Sequence, residues 1–285
     1  MEKVVIGRHS LYSVGQQTFY GSDGLWLPEF NLFGLAASFH EADYYPIAER
    51  DVQLAFTIIR QTLQEHPLNR NGLALLYHLL KAVYLGFNQV DLPAHLAGII
   101  SQQPDYFKER LDDRSAKPMV RLILLQSQGD RLSLASIGNF PIYKLSADET
   151  KRLGGIPWVG EKGVRYQGIA DYIVTEPGVS YQAEMPGIYA RETELKPDDI
   201  IAVCTPYTPI LQADPAKLTG EANGDLEAIN RHLTEITVKS VSEWSVGEYH
   251  ASRWPQGLDK LAKYNKAGWS PGEYGVAWAI TCLSG

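Results

Sequence analysis

Apolar and polar positions follow one another along this chain in changing rhythms, and their order predicts an architecture. The run "KVVIG" (3–7) reads as a strand and is followed by the polar stretch "RHSLYSVGQQTFYGSDG". "LWLPEFNLFGLAAS" (25–38) reads as strands around a Pro-Glu turn. Beyond Pro46, a residue suited to a helix start, Val52, Ala55, Phe56, Ile59 and Leu63 recur at steps of three and four. That spacing predicts a helix of about five turns with one buried stripe. "GLALLYHLLKAVYLGF" (72–87) predicts a second helix, apolar around more of its circumference and therefore set deeper. Shorter helices are expected at 93–103 and 104–113.

The rhythm then shortens. "PMVRLILLQSQGDRLSLASIGNFPIYKL" (118–145) predicts two strands joined at Gly129-Asp130, a favourable hairpin dipeptide. The alternation in "LSLASI" predicts one packed face and one open face. A turn at Gly138-Asn139 leads into "IYKL". Residues 150–195, rich in Gly, Tyr and Glu, show too little periodicity to place their strands. "IIAVC" (200–204), entered from Lys196-Pro197-Asp198-Asp199, reads as a buried strand. "GDLEAINRHLTEITVKSV" (224–241) predicts a helix capped by Asp225. "GLDKLAKYNKAG" (257–268) predicts another, and "GVAWAITCL" (275–283) a closing strand too apolar to be exposed. Blocks of strands and helices segregated in this way favour an α+β architecture with helices on antiparallel sheets. No repeat or low-complexity linker divides residues 1–285, so one domain is expected.

Composition narrows the function classes. A net charge of −7 argues against a surface built for nucleic-acid backbones or anionic lipid. The N-terminus shows no charged-then-apolar leader pattern, and no apolar stretch is long enough to cross a membrane, so a cytoplasmic location is the expectation. Cys204 and Cys282 sit inside apolar strand-like runs and read as buried reduced thiols. No base or cationic group lies near Cys204 in the sequence, which argues against a nucleophile.

No phosphate loop, dinucleotide fingerprint, zinc-peptidase motif, nucleophile elbow or paired Cys-x-x-Cys occurs. The seven histidines are dispersed, and His78, within an apolar helix, reads as a core residue. His40-Glu41-Ala42-Asp43 puts three potential metal ligands just after a strand, although a solvated loop explains them as well. Trp244, Trp254 and Trp269 with Tyr249 and Tyr264 read as core or interface aromatics.

Taken in order, these pieces resemble the metal-dependent protein serine/threonine phosphatases, the protein phosphatase 2C (PPM-type) family. That pattern runs through a Gly eight residues before the last Asp of an Asn-Glu-Asp-like triplet, then a strand ending in Asp-Gly and a long helix. A strand with Gly-Asp-Ser-Arg, a strand ending in Ser-Asp-Gly, and an Asp-Asn before the last strand complete it. Here Gly15 precedes Asp23 by eight, so Gly21-Ser22-Asp23 stands at the triplet. Ala37-Ser38 stands at Asp-Gly, Gly138-Asn139-Phe140-Pro141 at Gly-Asp-Ser-Arg, Thr205-Pro206-Tyr207 at Ser-Asp-Gly, and Glu273-Tyr274 at Asp-Asn. Segments 88–117 and 150–190 depart most from the family pattern.

The resemblance implies a four-layer sandwich of two antiparallel β-sheets flanked by helices. It also implies a site in which carboxylates hold two metal ions that activate a bridging water for attack on a phosphoester. Hard divalent cations need several oxygen ligands, and two of them close together need negative charge between them. Only Asp23 and, as a longer substitute, Glu273 remain in kind, while Ser22, Ala37, Ser38, Asn139, Pro206 and Tyr207 mark degenerate positions. The leading expectation is a pseudophosphatase with no catalytic residues and no cofactor, acting as a binding or regulatory module for a protein partner, a phosphoprotein among the candidates. The alternative is an active phosphatase with an altered Mn2+ or Mg2+ site built from Asp23, Glu273, His40, Glu41 and Asp43.

Overall fold

The most apolar stretches become the middle strands of two sheets, because a strand covered on both faces needs apolar side chains at nearly every position. A computed structural model describes residues 3–10, 12–14, 17–19, 21–38, 45–65, 71–90, 118–138, 140–145, 150–154, 172–175, 178–181, 188–196, 199–205, 225–242 and 275–282. The chain begins with β1 (Val4–Ser10), β2 (Tyr12–Val14), β3 (Gln17–Phe19), β4 (Ser22–Leu27) and β5 (Leu32–Ser38). Helices α1 (Tyr45–Glu65) and α2 (Leu73–Asn88) follow. Next come β6 (Val120–Gln128), β7 (Arg131–Ile137), β8 (Ile142–Leu145) and β9 (Thr150–Gly154). The remaining strands before the last helix are β10 (Tyr172–Thr175), β11 (Gly178–Tyr181), β12 (Tyr189–Glu194) and β13 (Ile200–Cys204). Helix α3 (Leu226–Ser242) and β14 (Gly275–Cys282) close the series.

One five-stranded sheet has the order β1-β14-β13-β8-β9 and the other β12-β7-β6-β5-β4; every pairing is antiparallel. Two ribbons, β2-β3 and β10-β11, stand apart. Alternation along the strands sends odd and even residues to different layers. Phe33, Leu35, Ile123, Leu125, Val203 and Ala279 fill the space between the sheets. Ala36, Leu122 and Leu124 face α1 and α2, where they meet Val52, Phe56, Ile59, Leu76 and Leu79. Ala202, Trp278 and Ile280 face α3 and pack on Ile229 and Leu233. The result is the expected four-layer α+β sandwich, two antiparallel sheets flanked by helices.

Several local expectations are met. The stripe Val52, Ala55, Phe56, Ile59 and Leu63 is buried throughout. Asp225 caps α3, its Oδ1 accepting the backbone N–H groups of Glu227 (3.1 Å) and Ala228 (3.2 Å). The β6–β7 hairpin turns at Gly129, whose φ of 60° suits glycine.

Others need correction. β1 runs on to Ser10 because β14 pairs with it residue by residue, from Val4 opposite Thr281 to Ser10 opposite Gly275. The polar stretch after it forms the β2-β3 ribbon. The "LSLASI" strand has no open face: helix α2 packs over the side of Ser133, Ala135 and Ile137 and the other sheet over the side of Leu132, Leu134 and Ser136, so both serines are buried. Helix α2 is not the deeper helix that its composition suggests, since Tyr77 and Leu85 stay on the outer surface. Helices expected at 93–103, 104–113 and 257–268 lie outside the described residues.

Candidate functional site

Strand register brings the first two resemblance positions together. Ser22 on β4 is paired with Ala37 on β5, and Ala37 with Arg121 on β6. Ala37 shares its face with Phe33 and Leu35, and Arg121 with Ile123 and Leu125, so this row faces the layer between the sheets. Ser22, Ala37 and Arg121 are all nearly sealed from solvent, and Ser22 Oγ has no hydrogen-bond partner. Ser38 is buried too, with its N–H donating to the Gly21 carbonyl at 2.8 Å.

The facing sheet contributes β1 and β14. Arg8 is paired with Ala277 and shares the inward face of Val4 and Ile6. Its Nη1 donates to Asp23 Oδ2 at 2.9 Å, and Gln53 Nε2 of α1 donates to the same oxygen at 3.1 Å. Asp23 Oδ1 accepts the Gly24 N–H at 2.8 Å. Each carboxylate oxygen therefore accepts at least one protein donor. Gly24 lets β4 and β1 approach this closely, since a Cβ there would run into the Ile6 side chain, with Cδ1 at 2.9 Å.

At the end of β13, Thr205 is buried and doubly tied to Ala277: its N–H donates to the Ala277 carbonyl (2.9 Å) and its Oγ1 accepts the Ala277 N–H (3.2 Å). Cys204, one residue earlier, is fully buried on the α3 side. Burial pushes its thiol far above the ordinary range, leaving it protonated and unreactive. Asp199, at the other end of this strand, is engaged by Lys144 Nζ and by the Lys196 N–H at 2.9 Å. His78 lies half-buried on α2.

Of the sequence-predicted site residues, Ser22, Asp23, Ala37 and Ser38 lie at one end of the β4–β5 pair. His40, Glu41, Asp43, Asn139, Pro206, Tyr207 and Glu273 lie outside the described residues, as do Trp244, Tyr249, Trp254, Tyr264 and Trp269. No group of three or more His, Cys, Asp or Glu side chains suited to a metal occurs among the described residues. No described helix is long and apolar enough to cross a membrane. Arg8, Gln53 and Arg121 were not among the residues picked out by sequence. Arg121 left a signal, because it interrupts the apolar run "VRLILL" at a position of inward parity.

No protein-family model matches the chain, and no curated protein sequence does. Solved structures do. The serine/threonine phosphatase PstP/Ppp of Mycobacterium tuberculosis is similar over 99% of both chains, with a TM-score of 0.57 at 12% identity. A PstP catalytic domain in complex with two manganese ions is similar over 99% of both chains, with a TM-score of 0.54 at 13% identity. The fold is phosphatase 2C-like. PppA, a regulatory component in Pseudomonas aeruginosa, shares that fold over 98% of both chains, with a TM-score of 0.53 at 13% identity. In this phosphatase 2C-like frame, the Arg8–Asp23 pair lies where sheet edges β1 and β4 meet, and the row Ser22–Ala37–Arg121 runs from that edge into the second sheet.

Proposed function

We propose that the chain is a pseudophosphatase, a phosphatase 2C-like domain that serves as a protein-binding or regulatory module without hydrolysing phosphoesters. One observation carries the reading: the carboxylate of Asp23 accepts hydrogen bonds from Arg8, Gln53 and the Gly24 amide, with a guanidinium as its ion-pair partner. A guanidinium at 2.9 Å supplies the compensating positive charge that a divalent cation would otherwise bring.

The row beside it supports the same reading. Ala37 offers no donor atom, Ser22 is neutral, and Arg121 adds a buried positive charge next to Ala37. Two divalent cations need carboxylate charge between them, and this row supplies none. The described residues at these positions do not fit a Mn2+ or Mg2+ pair, and no hydrolytic step is derived through one. In this reading the ligand is a protein partner, with phosphoproteins among the candidates.

The test is a calorimetric titration with Mn2+ alongside hydrolysis of a small aryl phosphate. The expected result is no saturable metal binding in the micromolar range and no metal-dependent turnover. Turnover that requires Mn2+ and disappears in Asp23→Asn would overturn the reading in favour of a site built from Asp23, Glu273, His40, Glu41 and Asp43.

A further inference from the structure

A cavity of about 290 Å3 opens at the other end of the second sheet, five residue steps from Ser22 and about 17 Å along the strand. It lies between the turn after β4, the end of α1, the start of α2 and the end of β6. Its volume is at the small end of ligand pockets, which run to about 300–1,000 Å3. That suits a single small ring.

The floor is built around Gln126, which is 4% exposed. Its Oε1 accepts the Gly72 N–H at 2.6 Å and its Nε2 donates to the Phe30 carbonyl at 3.0 Å. The Ser127 N–H donates to the Asn31 carbonyl at 3.2 Å. One glutamine thereby fixes the turn and the α2 start against β6, so the cavity is preorganised. Asn31 (φ 45°) and Gly72 (φ 60°) hold left-handed backbone conformations at its edge.

The rim carries Glu29, Asn31, Asn71 and Gln128, whose side chains have no hydrogen-bond or ion-pair partner among the described residues. Phe30, Leu63 and Leu75 supply an apolar wall. No lysine or arginine is among the described residues of the lining, and those residues offer phosphate and carboxylate ligands no cationic partner. Among the described lining residues a cationic amine would find one carboxylate, the exposed Glu29, whose attraction water and salt screen. The carboxamides present donors and acceptors side by side, in the pattern that neighbouring hydroxyls require. The apolar wall suits the C–H face of a ring.

We infer that this cavity is a binding site for a small neutral polyhydroxylated ligand of the saccharide or cyclitol class. It stands apart from the Arg8–Asp23 contact at the β1–β4 edge and does not rest on how that site behaves.

The full chain is titrated with glucose, N-acetylglucosamine and myo-inositol by saturation-transfer NMR and by thermal shift, with putrescine and inorganic phosphate as comparators. At least one of the three polyols should bind in the millimolar range or tighter. Glu29→Ala and Asn71→Ala should each weaken it by roughly three- to tenfold, one hydrogen bond's contribution, while leaving the unliganded melting curve in place. Should either variant unfold, Gln128→Ala, at an exposed strand end, gives the same readout. No polyol binding at tens of millimolar, preferential binding of putrescine or phosphate, or polyol binding indifferent to all these variants would each overturn the assignment.

Discussion

Arg8 and Asp23 join the two sheets at their edges: Nη1 of the arginine on β1 lies 2.9 Å from Oδ2 of the aspartate on β4. Gln53 brings α1 into the same contact. Three layers of the sandwich are thus tied at one carboxylate, with a side chain supplying the positive charge.

The two ends of this tie should not count equally. Arg8 is 42% exposed, so Arg8→Ala is expected to cost about 0–1 kcal/mol. Asp23→Ala removes the acceptor of the part-buried Gly24 N–H as well as the Arg8 and Gln53 contacts, and is expected to cost more, about 1–2 kcal/mol. Urea unfolding of both variants measures the order. A chelator should leave the wild-type melting temperature unchanged; a drop of several degrees would show that a bound cation, not Arg8, closes this edge.

Gly7 lies against the Trp278 indole, which occupies the space a Cβ would need, and Trp278 Nε1 donates to Asn230 Oδ1 at 2.9 Å. Gly7→Ala pushes the indole off that hydrogen bond and overpacks the layer between β1 and α3. The expected loss is about 1–3 kcal/mol, read as a lower urea midpoint with an unchanged slope.

Cys204 should be silent toward iodoacetamide in the folded protein at mildly alkaline pH and react fully in denaturant. Burial raises its pKa and closes access together. Mass spectrometry of the peptide carrying Cys204 decides the point; rapid labelling of the native protein would show an open, activated thiol.

Tyr143 gives the fold a pH edge. Its phenol is pushed up from 10.0 to about 12, first by burial and second by the neighbouring Cys204, with Arg152 opposing. Because the folded value is the higher, this contribution is whole below pH 10 and is lost as the pH rises through about 12. Alkaline unfolding should set in across that window, and Tyr143→Phe should flatten the dependence. A wild-type midpoint that is level across the window would contradict the assignment.

Much of the layer order was legible in sequence, because burial on one helix stripe or both strand faces leaves a period. Val52 to Leu63 and "IIAVC" are examples, and Asp225 was legible because capping needs one side chain at one position. What escaped depends on neighbours distant in the chain. Ser133 looks solvent-facing by alternation, but β12 supplies Glu192, whose Oε1 accepts from Ser133 Oγ at 3.0 Å. The pairing of Ser22 with Ala37 was legible as two strand ends brought together by the resemblance. The contacts of Asp23 were not, since Arg8 and Gln53 are 15 and 30 residues from it and no spacing rule links them.

The position of β14 has a consequence for how the molecule is made. It lies between β1 and β13, pairing with both, although it follows every other described strand along the chain. While a ribosome is still extending the chain, the second sheet and helices α1 and α2 can assemble from residues already made. The first sheet must wait with an unpaired edge on β1 and another on β13. Its completion is a late, long-range event, and during synthesis those two edges are where association with other chains would begin.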